Sequence, residues 1–182
     1  MSYLTFDDLS TKYRSTEYFS KAENLNESLS GEQISYDKRI FLSYRRKDKK
    51  YVDPIVRFLK GIGVKVYIDY LDDSLPDKPD TKTAEILRHR IKNSDKFILL
   101  ATPNSSESKW IPWELGLGDG FINYNNVAIL PLLSSSSYWS EQEYYSIYGH
   151  IEKANSRDKS KYDWAIFYPN GQAEWLINWL KK

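Results

Sequence analysis

The chain has 182 residues, and its 26 Lys and Arg against 25 Asp and Glu give a formal net charge of +1. This near-neutral balance gives no indication of nucleic-acid binding through bulk charge, and the length suits one domain with appendages. The absence of cysteine excludes disulfides, zinc–thiolate sites and thiol nucleophiles. Neither of the two histidines has a second histidine at ligand spacing, so we expect no metal site.

The chain carries no sign of export or membrane insertion. The first ten residues, MSYLTFDDLS, lack a basic segment followed by an apolar run. No apolar run approaches the roughly 18 residues that a membrane-spanning helix needs. We therefore expect a soluble, cytoplasmic protein with no membrane partner.

Residues 1–36 are polar with scattered aromatic residues. Thr5 precedes FDDL and Thr16 precedes EYFSKAENL, and each pattern is typical of a helix N-cap with acidic residues in the first turn. The pattern predicts an N-terminal helical extension over residues 1–36, which packs against the main domain or against a partner.

From Lys38 onward, short apolar runs alternate with segments of helical periodicity. The runs predict strands at Arg39–Tyr44, Val64–Asp69, Lys96–Ala101 and Val127–Leu133, and the periodic segments predict helices at Tyr51–Lys60, Thr81–Asn93 and Ile111–Ile122. Continuous apolar strands are expected where helices cover both faces of a sheet. The pattern therefore predicts an α/β protein with a parallel, doubly wound sheet.

The last third of the chain is less regular. We predict a helix over Trp139–Ala154, although Gly149 weakens that prediction, and a strand over Trp164–Tyr168. A terminal helix is predicted over Gln172–Lys182, with a buried stripe formed by Trp175, Leu176, Trp179 and Leu180.

Ligands of doubly wound sheets bind beyond the carboxyl ends of the strands. Four segments follow the predicted strands: Ser43–Arg46, Asp69–Asp73, Thr102–Ser108 and Leu133–Ser137. None contains a glycine-rich phosphate loop, and no nucleophile elbow supports a Ser–His–Asp triad. The run Gly116, Gly118, Gly120 lies inside a predicted helix, where close packing of helix on sheet is the preferred interpretation.

The segment Ser105–Gly116, SSESKWIPWELG, carries the most informative pattern. Pro112 suits a first helical turn, and Trp110 lies four residues before Glu114, so both share one helix face. A carboxylate in an apolar stretch costs free energy unless it lines a cleft, and a first helical turn favours its ionised form. The pair suits a pocket for a flat, cationic ligand, although Trp110 equally fits a role in the core.

Tyr44, Arg45 and Arg46 follow the first strand of the alternating region. Guanidinium groups match phosphate oxygens in paired geometry, so the two arginines suit a diphosphate. Solvated charges preceding Lys47–Lys50 are the equally weighted alternative.

Several of these motifs, in order, resemble those of a TIR domain. RIFLSYRRKD is similar to the family's first-strand box, Asp69–Asp80 occupies the position of its BB loop, and SKWIPWE resembles the S-x-W-x-x-x-E motif of NAD-cleaving members. The resemblance covers residues 38–133 and implies a flavodoxin-like TIR fold with a parallel sheet of about five strands. We accordingly assign residues 37–182 to the TIR domain, with 134–182 as a C-terminal elaboration.

The resemblance implies an NAD+ nucleosidase or ADP-ribosyl cyclase that takes NAD+ as substrate and needs no cofactor. By position it assigns Glu114 as the catalytic residue and Trp110 as its neighbour in the pocket. It places Ser43, Tyr44, Arg45 and Arg46 along the substrate, and Asp72 and Asp73 in a loop that gates the site. An ionised Glu114 would stabilise the positive charge that develops on the ribose as nicotinamide leaves.

Similar stand-alone bacterial TIR proteins act in Thoeris anti-phage defence, where a nucleotide signal activates a separate effector. The resemblance thus implies NAD+, other TIR protomers and a downstream effector as partners. A non-enzymatic TIR–TIR scaffold and a host-targeted effector are the alternatives. The chain lacks the Pro-Gly pair of many receptor-type BB loops, which argues against an adaptor.

Overall fold

The computed structural model describes residues 3–12, 38–62, 66–69, 80–134, 139, 142–154 and 164–182. The strands are β1 (Leu4–Thr5), β2 (Lys38–Ser43), β3 (Val66–Asp69), β4 (Lys96–Ala101), β5 (Val127–Leu133), β6 (Gly149–Lys153), β7 (Trp164–Phe167) and β8 (Ala173–Trp175). The α-helices are α1 (Phe6–Lys12), α2 (Val52–Gly61), α3 (Thr81–Lys92), α4 (Ile111–Ile122) and α5 (Leu176–Lys181).

The strands form one sheet in the order β3-β2-β4-β5-β6-β7-β8, and β1 pairs with β5. All pairings from β3 to β6 are parallel, whereas β7 and β8 run antiparallel to their neighbours. The predicted parallel α/β architecture is confirmed. The sheet contains more strands than the predicted five, because the C-terminal region adds strands rather than helix.

Successive side chains of β2 and β4 point to opposite faces of the sheet, as pleated strands require. Ile40 and Leu42 join a core cluster with α2 and α5, whereas Phe41 joins a second cluster with α3 and α4. Both faces of the sheet are therefore covered, which explains why β4 and β5 are apolar at nearly every position.

The N-terminal segment is built into the domain. β1 runs parallel to the carboxyl end of β5, with Leu4 opposite Leu132 and Thr5 opposite Leu133. The Thr5 hydroxyl accepts a hydrogen bond from the backbone N–H of Asp8 (3.1 Å), so Thr5 begins the predicted helix. Leu4 and Leu9 are fully buried. The second predicted helix start, at Thr16, lies outside the described residues.

The predicted helix over Trp139–Ala154 is wrong. The structure has a short 3-10 turn at Glu143–Tyr145, followed by strand β6. A Cβ atom on Gly149 would lie 2.4 Å from Ile166 Cγ2, so the first position of β6 requires glycine for close packing against β7. The aromatic side chains of this region pack against one another, and the Trp139 ring stacks on the Tyr145 ring.

The terminal helix is shorter than predicted. Residues 173–175 form β8, which pairs antiparallel with β7, and helix α5 begins only at Leu176. Leu176, Trp179 and Leu180 are buried, as the predicted stripe requires, whereas Trp175 lies in the strand. Sheet pairing thus overrides the helical periodicity at the first residues of this segment.

Close packing of α4 on the sheet explains one of the three glycines in this helix, Gly118. A Cβ atom there would lie 2.8 Å from Phe97 Cδ2, so glycine lets the helix approach β4 closely. Gly116 and Gly120 have open space at the same position, so close packing accounts for Gly118 alone. None of the helices in the described ranges has the length and hydrophobicity that a membrane-spanning helix needs.

Candidate active site

Helix α4 begins at the carboxyl edge of the sheet, just after the loop that leaves β4. Pro112 lies in its first turn, as predicted, where the missing amide has no helical partner. Trp110 is the residue before the helix, and the Ser108 hydroxyl accepts from the backbone N–H groups of Trp110 and Ile111 (both 3.3 Å). The serine of the SKWIPWE motif therefore stabilises the start of this helix.

Glu114 is buried in this first turn, with 7% of its surface exposed. Its backbone N–H donates to the carbonyl of Trp110 (2.9 Å), which closes the first helical turn. Ser43, the last residue of β2, donates its hydroxyl hydrogen bond to Glu114 Oε2 at 2.6 Å. The structure thus joins the two predicted site residues through one short, buried hydrogen bond.

Burial raises the pKa of Glu114 to about 7, because the ionised form loses hydration, and the Ser43 hydrogen bond opposes only part of this effect. Burial thus outweighs the stabilisation of the ionised form that the first helical turn was expected to give. A carboxyl group with this pKa exchanges its proton near neutral pH.

Ser43 and Tyr44 point to different sides of the sheet. Phe41 packs in the cluster of α3 and α4, and Ser43, two positions later, faces the same helix α4. Tyr44 is half-buried and packs against the opposite cluster. The structure brings Ser43 to Glu114, whereas the place of Tyr44 along the substrate stays a prediction.

Arg45 is held against the loop that follows β4. Its Nη1 donates to the backbone carbonyl of Asn104 and to Glu107 Oε2, the latter at 2.7 Å. The Arg45 side chain is only 19% exposed, so a purely solvated arginine is the wrong interpretation at this position. Arg46 is exposed and begins the 3-10 helix Arg46–Tyr51.

Asp48 was not predicted as a site residue, yet it is buried in the middle of a basic run. Its carboxylate accepts hydrogen bonds from Thr102 Oγ1 and Asn104 Nδ2, both at 2.6 Å. Asp48 thereby ties the segment that follows Ser43 to the loop that leads from β4 towards α4. The one signal in the sequence was a single acidic residue among Arg45–Lys50.

Trp110 packs against the core, and its role as a pocket neighbour of Glu114 stays a prediction. It is half-buried against the cluster of α3 and α4, and its ring meets Trp113 edge to face at 5.1 Å between centroids. Trp113 in turn lies 5.2 Å below the guanidinium of Arg88. Trp110 remains partly exposed at the start of the helix, four residues before Glu114.

Asp72 and Asp73, the predicted gate, lie outside the described residues, and their role stays a prediction. Within the described ranges, no group of three or more His, Asp or Glu side chains is placed to hold a metal ion. The described site is therefore made of one buried acid, one hydroxyl and a rim of charged residues.

The TIR domain family model matches residues 40–165, which is more than half of the chain. The protein therefore belongs to the TIR domain family. The matched region contains both Ser43 and Glu114.

Two curated bacterial proteins are similar to this chain. ThsB′ of Bacillus cereus (strain MSX-D12) is 31% identical over 187 aligned residues, which cover 97% of this chain and 96% of ThsB′, and its name describes a 3′ cyclic ADP-D-ribose synthase. TIR2 of Cytobacillus dafuensis is 26% identical over 106 residues, covering 56% of this chain and 28% of TIR2, and is named as a cyclic ADP-D-ribose synthase. Both names mark the assignment as provisional.

Among solved structures, the TIR domain of the Toll-related receptor TRR-2 from Hydra magnipapillata matches with a TM-score of 0.41. It is 20% identical, and the match covers 60% of this chain and 78% of that domain.

Proposed function

We propose that this protein cleaves the nicotinamide–ribose bond of NAD+, with Glu114 as the catalytic residue. The observation that carries the proposal is a buried carboxyl group, held by Ser43 at 2.6 Å, at the carboxyl edge of the sheet. The cyclic ADP-D-ribose synthase names of the two relatives support NAD+ as the substrate.

The chemistry needs a negative group beside the ribose. When the bond between ribose C1′ and the nicotinamide nitrogen breaks, both bonding electrons leave with nicotinamide, and positive charge develops on the ribose. The ionised Glu114 carboxylate stabilises that charge, and it does so most strongly where water is excluded. Because the pKa of Glu114 is about 7, roughly half of the molecules carry the ionised carboxylate at neutral pH.

Either of two nucleophiles can complete the reaction by attacking ribose C1′. Water adds to C1′ and releases one proton, which gives ADP-ribose. A hydroxyl group or ring nitrogen of the same ADP-ribose adds and loses one proton, which gives a cyclic product. The names of the relatives favour the cyclic outcome for this chain, so we propose an ADP-ribosyl cyclase.

The decisive experiment is incubation with NAD+ at high protein concentration, followed by chromatographic separation and mass measurement of the products. We expect the wild type to release nicotinamide, and Glu114→Gln to reduce the rate by about 100-fold or more, as for the loss of one electrostatic catalytic group. Glu85→Gln, which removes an exposed carboxylate on α3, is the matched control and should retain the wild-type rate. Equal nicotinamide release by wild type and Glu114→Gln would contradict the proposal, and no turnover in either would favour a TIR–TIR scaffold.

We further propose that the cyclic product is a signal read by a separate effector in anti-phage defence, and that protomers associate during activity. The similarity to ThsB′ over nearly the whole chain supports this role. Cells that express the wild type should accumulate the cyclic nucleotide after phage infection, whereas cells that express Glu114→Gln should not. Light scattering with and without NAD+ tests the association.

A further inference from the structure

A cluster of opposite charges lies where the segment after β2 meets the loop after β4. Arg45 Nη1 is 2.7 Å from Glu107 Oε2, and Lys47 Nζ is 3.5 Å from the same oxygen. The two cations follow β2, whereas Glu107 belongs to the 3-10 turn Ser105–Glu107 that precedes α4. A single carboxylate oxygen therefore faces two cations contributed by a different strand end.

The members of this cluster differ in how firmly they are held. The Arg45 side chain is 19% exposed, and its Nη1 also donates to the carbonyl of Asn104, which fixes the direction of the guanidinium. Glu107 and Lys47 are 62% and 65% exposed. The fold thus fixes the position of the Arg45 guanidinium, whereas its partner Glu107 is largely exposed to solvent.

The cluster lies next to the reacting groups in the chain. Arg45 is two residues beyond Ser43, which holds Glu114, and its backbone is extended (φ −79°, ψ 135°). Two extended residues span about 7 Å, so the Arg45 backbone lies within about 7 Å of Ser43, the residue that donates to the Glu114 carboxylate. In NAD+ the diphosphate follows the nicotinamide ribose directly.

We infer that Glu107 occupies, in the resting protein, the place on Arg45 and Lys47 that the substrate's diphosphate takes. Glu107 is then an internal competitor that weakens dinucleotide binding and sets its affinity. The identity of the displacing anion rests on the proposed function. The charge arrangement itself does not.

The energetics favour displacement. An exposed ion pair contributes little net stability, so an incoming anion loses little by breaking it. A diphosphate offers more oxygens and more negative charge than one carboxylate, and guanidinium binds phosphate oxygens in paired geometry. Arg45 lowers the pKa of Glu107 through its hydrogen bond and its charge, so Glu107 is ionised and competes throughout the neutral range.

The experiment measures equilibrium binding of ADP-ribose by titration calorimetry, with adenosine as a ligand that lacks the diphosphate. We expect Glu107→Gln to bind ADP-ribose about two- to fivefold more tightly than the wild type, which is the strength of an exposed ion pair. Glu107→Ala should act in the same direction, and adenosine should bind equally to all variants. Glu85→Gln removes one exposed negative charge elsewhere and should leave the affinity unchanged.

A double-mutant cycle with Arg45→Gln identifies the partner. On the Arg45→Gln background, Glu107→Gln should tighten ADP-ribose binding less than it does on the wild-type background, because only the more distant Lys47 still faces Glu107. Unchanged or weaker binding by Glu107→Gln, or no binding of ADP-ribose by any variant, would overturn the inference. Because these titrations need no turnover, they are independent of the test of the proposed function, which measures nicotinamide release by Glu114→Gln.

Discussion

Two ionisable side chains are buried at opposite edges of the same sheet, and their surroundings differ. Lys96 begins β4 at the amino edge, where its Nζ donates to Asn126 Oδ1 (2.6 Å) and lies 4.6 Å from the centroid of the Trp179 ring. Glu114 lies at the carboxyl edge, bonded to Ser43. Burial is the main cause that lowers the pKa of Lys96 to about 8 and raises that of Glu114 to about 7.

Burial of an ionisable group therefore does not by itself mark a catalytic residue. Lys96 is enclosed by an amide oxygen and an aromatic face, both of which suit a cation within the fold. Glu114 instead lies in the first turn of α4 and accepts a hydrogen bond from Ser43 at the end of β2, the strand end that is followed by Arg45 and its ion pair with Glu107. The position of a buried ionisable residue at the amino or the carboxyl edge of the sheet, together with the groups that surround it, indicates whether its role is structural or functional.

The largest expected effect is a change with pH in the folding stability of Glu114→Gln relative to the wild type, which an ordinary, exposed carboxylate would not cause. The pKa of Glu114 is about 7 in the folded state against 4.5 in the unfolded chain, so its stabilising contribution is complete below pH 4.5 and lost as the pH rises through about 7. The stability of Glu114→Gln relative to the wild type should therefore increase by roughly 3 kcal/mol between pH 4.5 and pH 8.5. Denaturant unfolding at both pH values measures this difference, and a constant difference would refute the raised pKa.

Lys96 should show the opposite slope. Its pKa is lower in the folded state, so protonation opposes folding at neutral pH, and this penalty disappears as the pH rises from about 8 towards 10.5. Relative to Lys96→Met, the wild type should gain about 1–2 kcal/mol of stability between pH 7 and pH 10, a value reduced for solvent screening. Equal pH dependence of the two proteins in denaturant unfolding would show that Lys96 keeps its ordinary pKa.

The smallest effect tests the hydrogen bond that distinguishes the Glu114 site. The Ser43 hydroxyl stabilises the ionised carboxylate, so Ser43→Ala should move the midpoint of the pH–rate profile upward by about one pH unit. Ser106→Ala, which removes an exposed hydroxyl from the loop before α4, is the control and should leave the midpoint in place. An unmoved midpoint in Ser43→Ala would mean that this hydrogen bond does not set the protonation of Glu114.

The sequence predicted the alternating region well because each buried strand is a short apolar run. The bounds of β4, β5 and α4 agree with the predicted elements at both ends. The C-terminal region was predicted less well, since β6 and β8 are specified by pairing with β7, a contact that no local periodicity reveals. The pairing of β1 with β5 was missed for the same reason.

In the candidate site, too, some features were predicted from the sequence and others were not. Glu114 and Ser43 were identified from motifs, yet their hydrogen bond depends on the packing of α4 against β2. The burial of Asp48 could not be predicted from its position in a basic run, because it depends on hydrogen bonds from Thr102 and Asn104, more than fifty residues away. Sequence patterns located the candidate site residues, and contacts between the ends of strands and the start of α4 determine how these residues are held.

The pH dependence of kcat/KM for NAD+ cleavage tests the central claim most directly, because it reports the ionisation of essential groups in the free enzyme. If the ionised Glu114 carries the reaction, the rate should rise with pH through a midpoint near 7, the pKa that burial gives this carboxyl group. A rate that is already at its plateau at pH 5 would contradict the account, because an ordinary, solvated carboxylate would then carry the reaction.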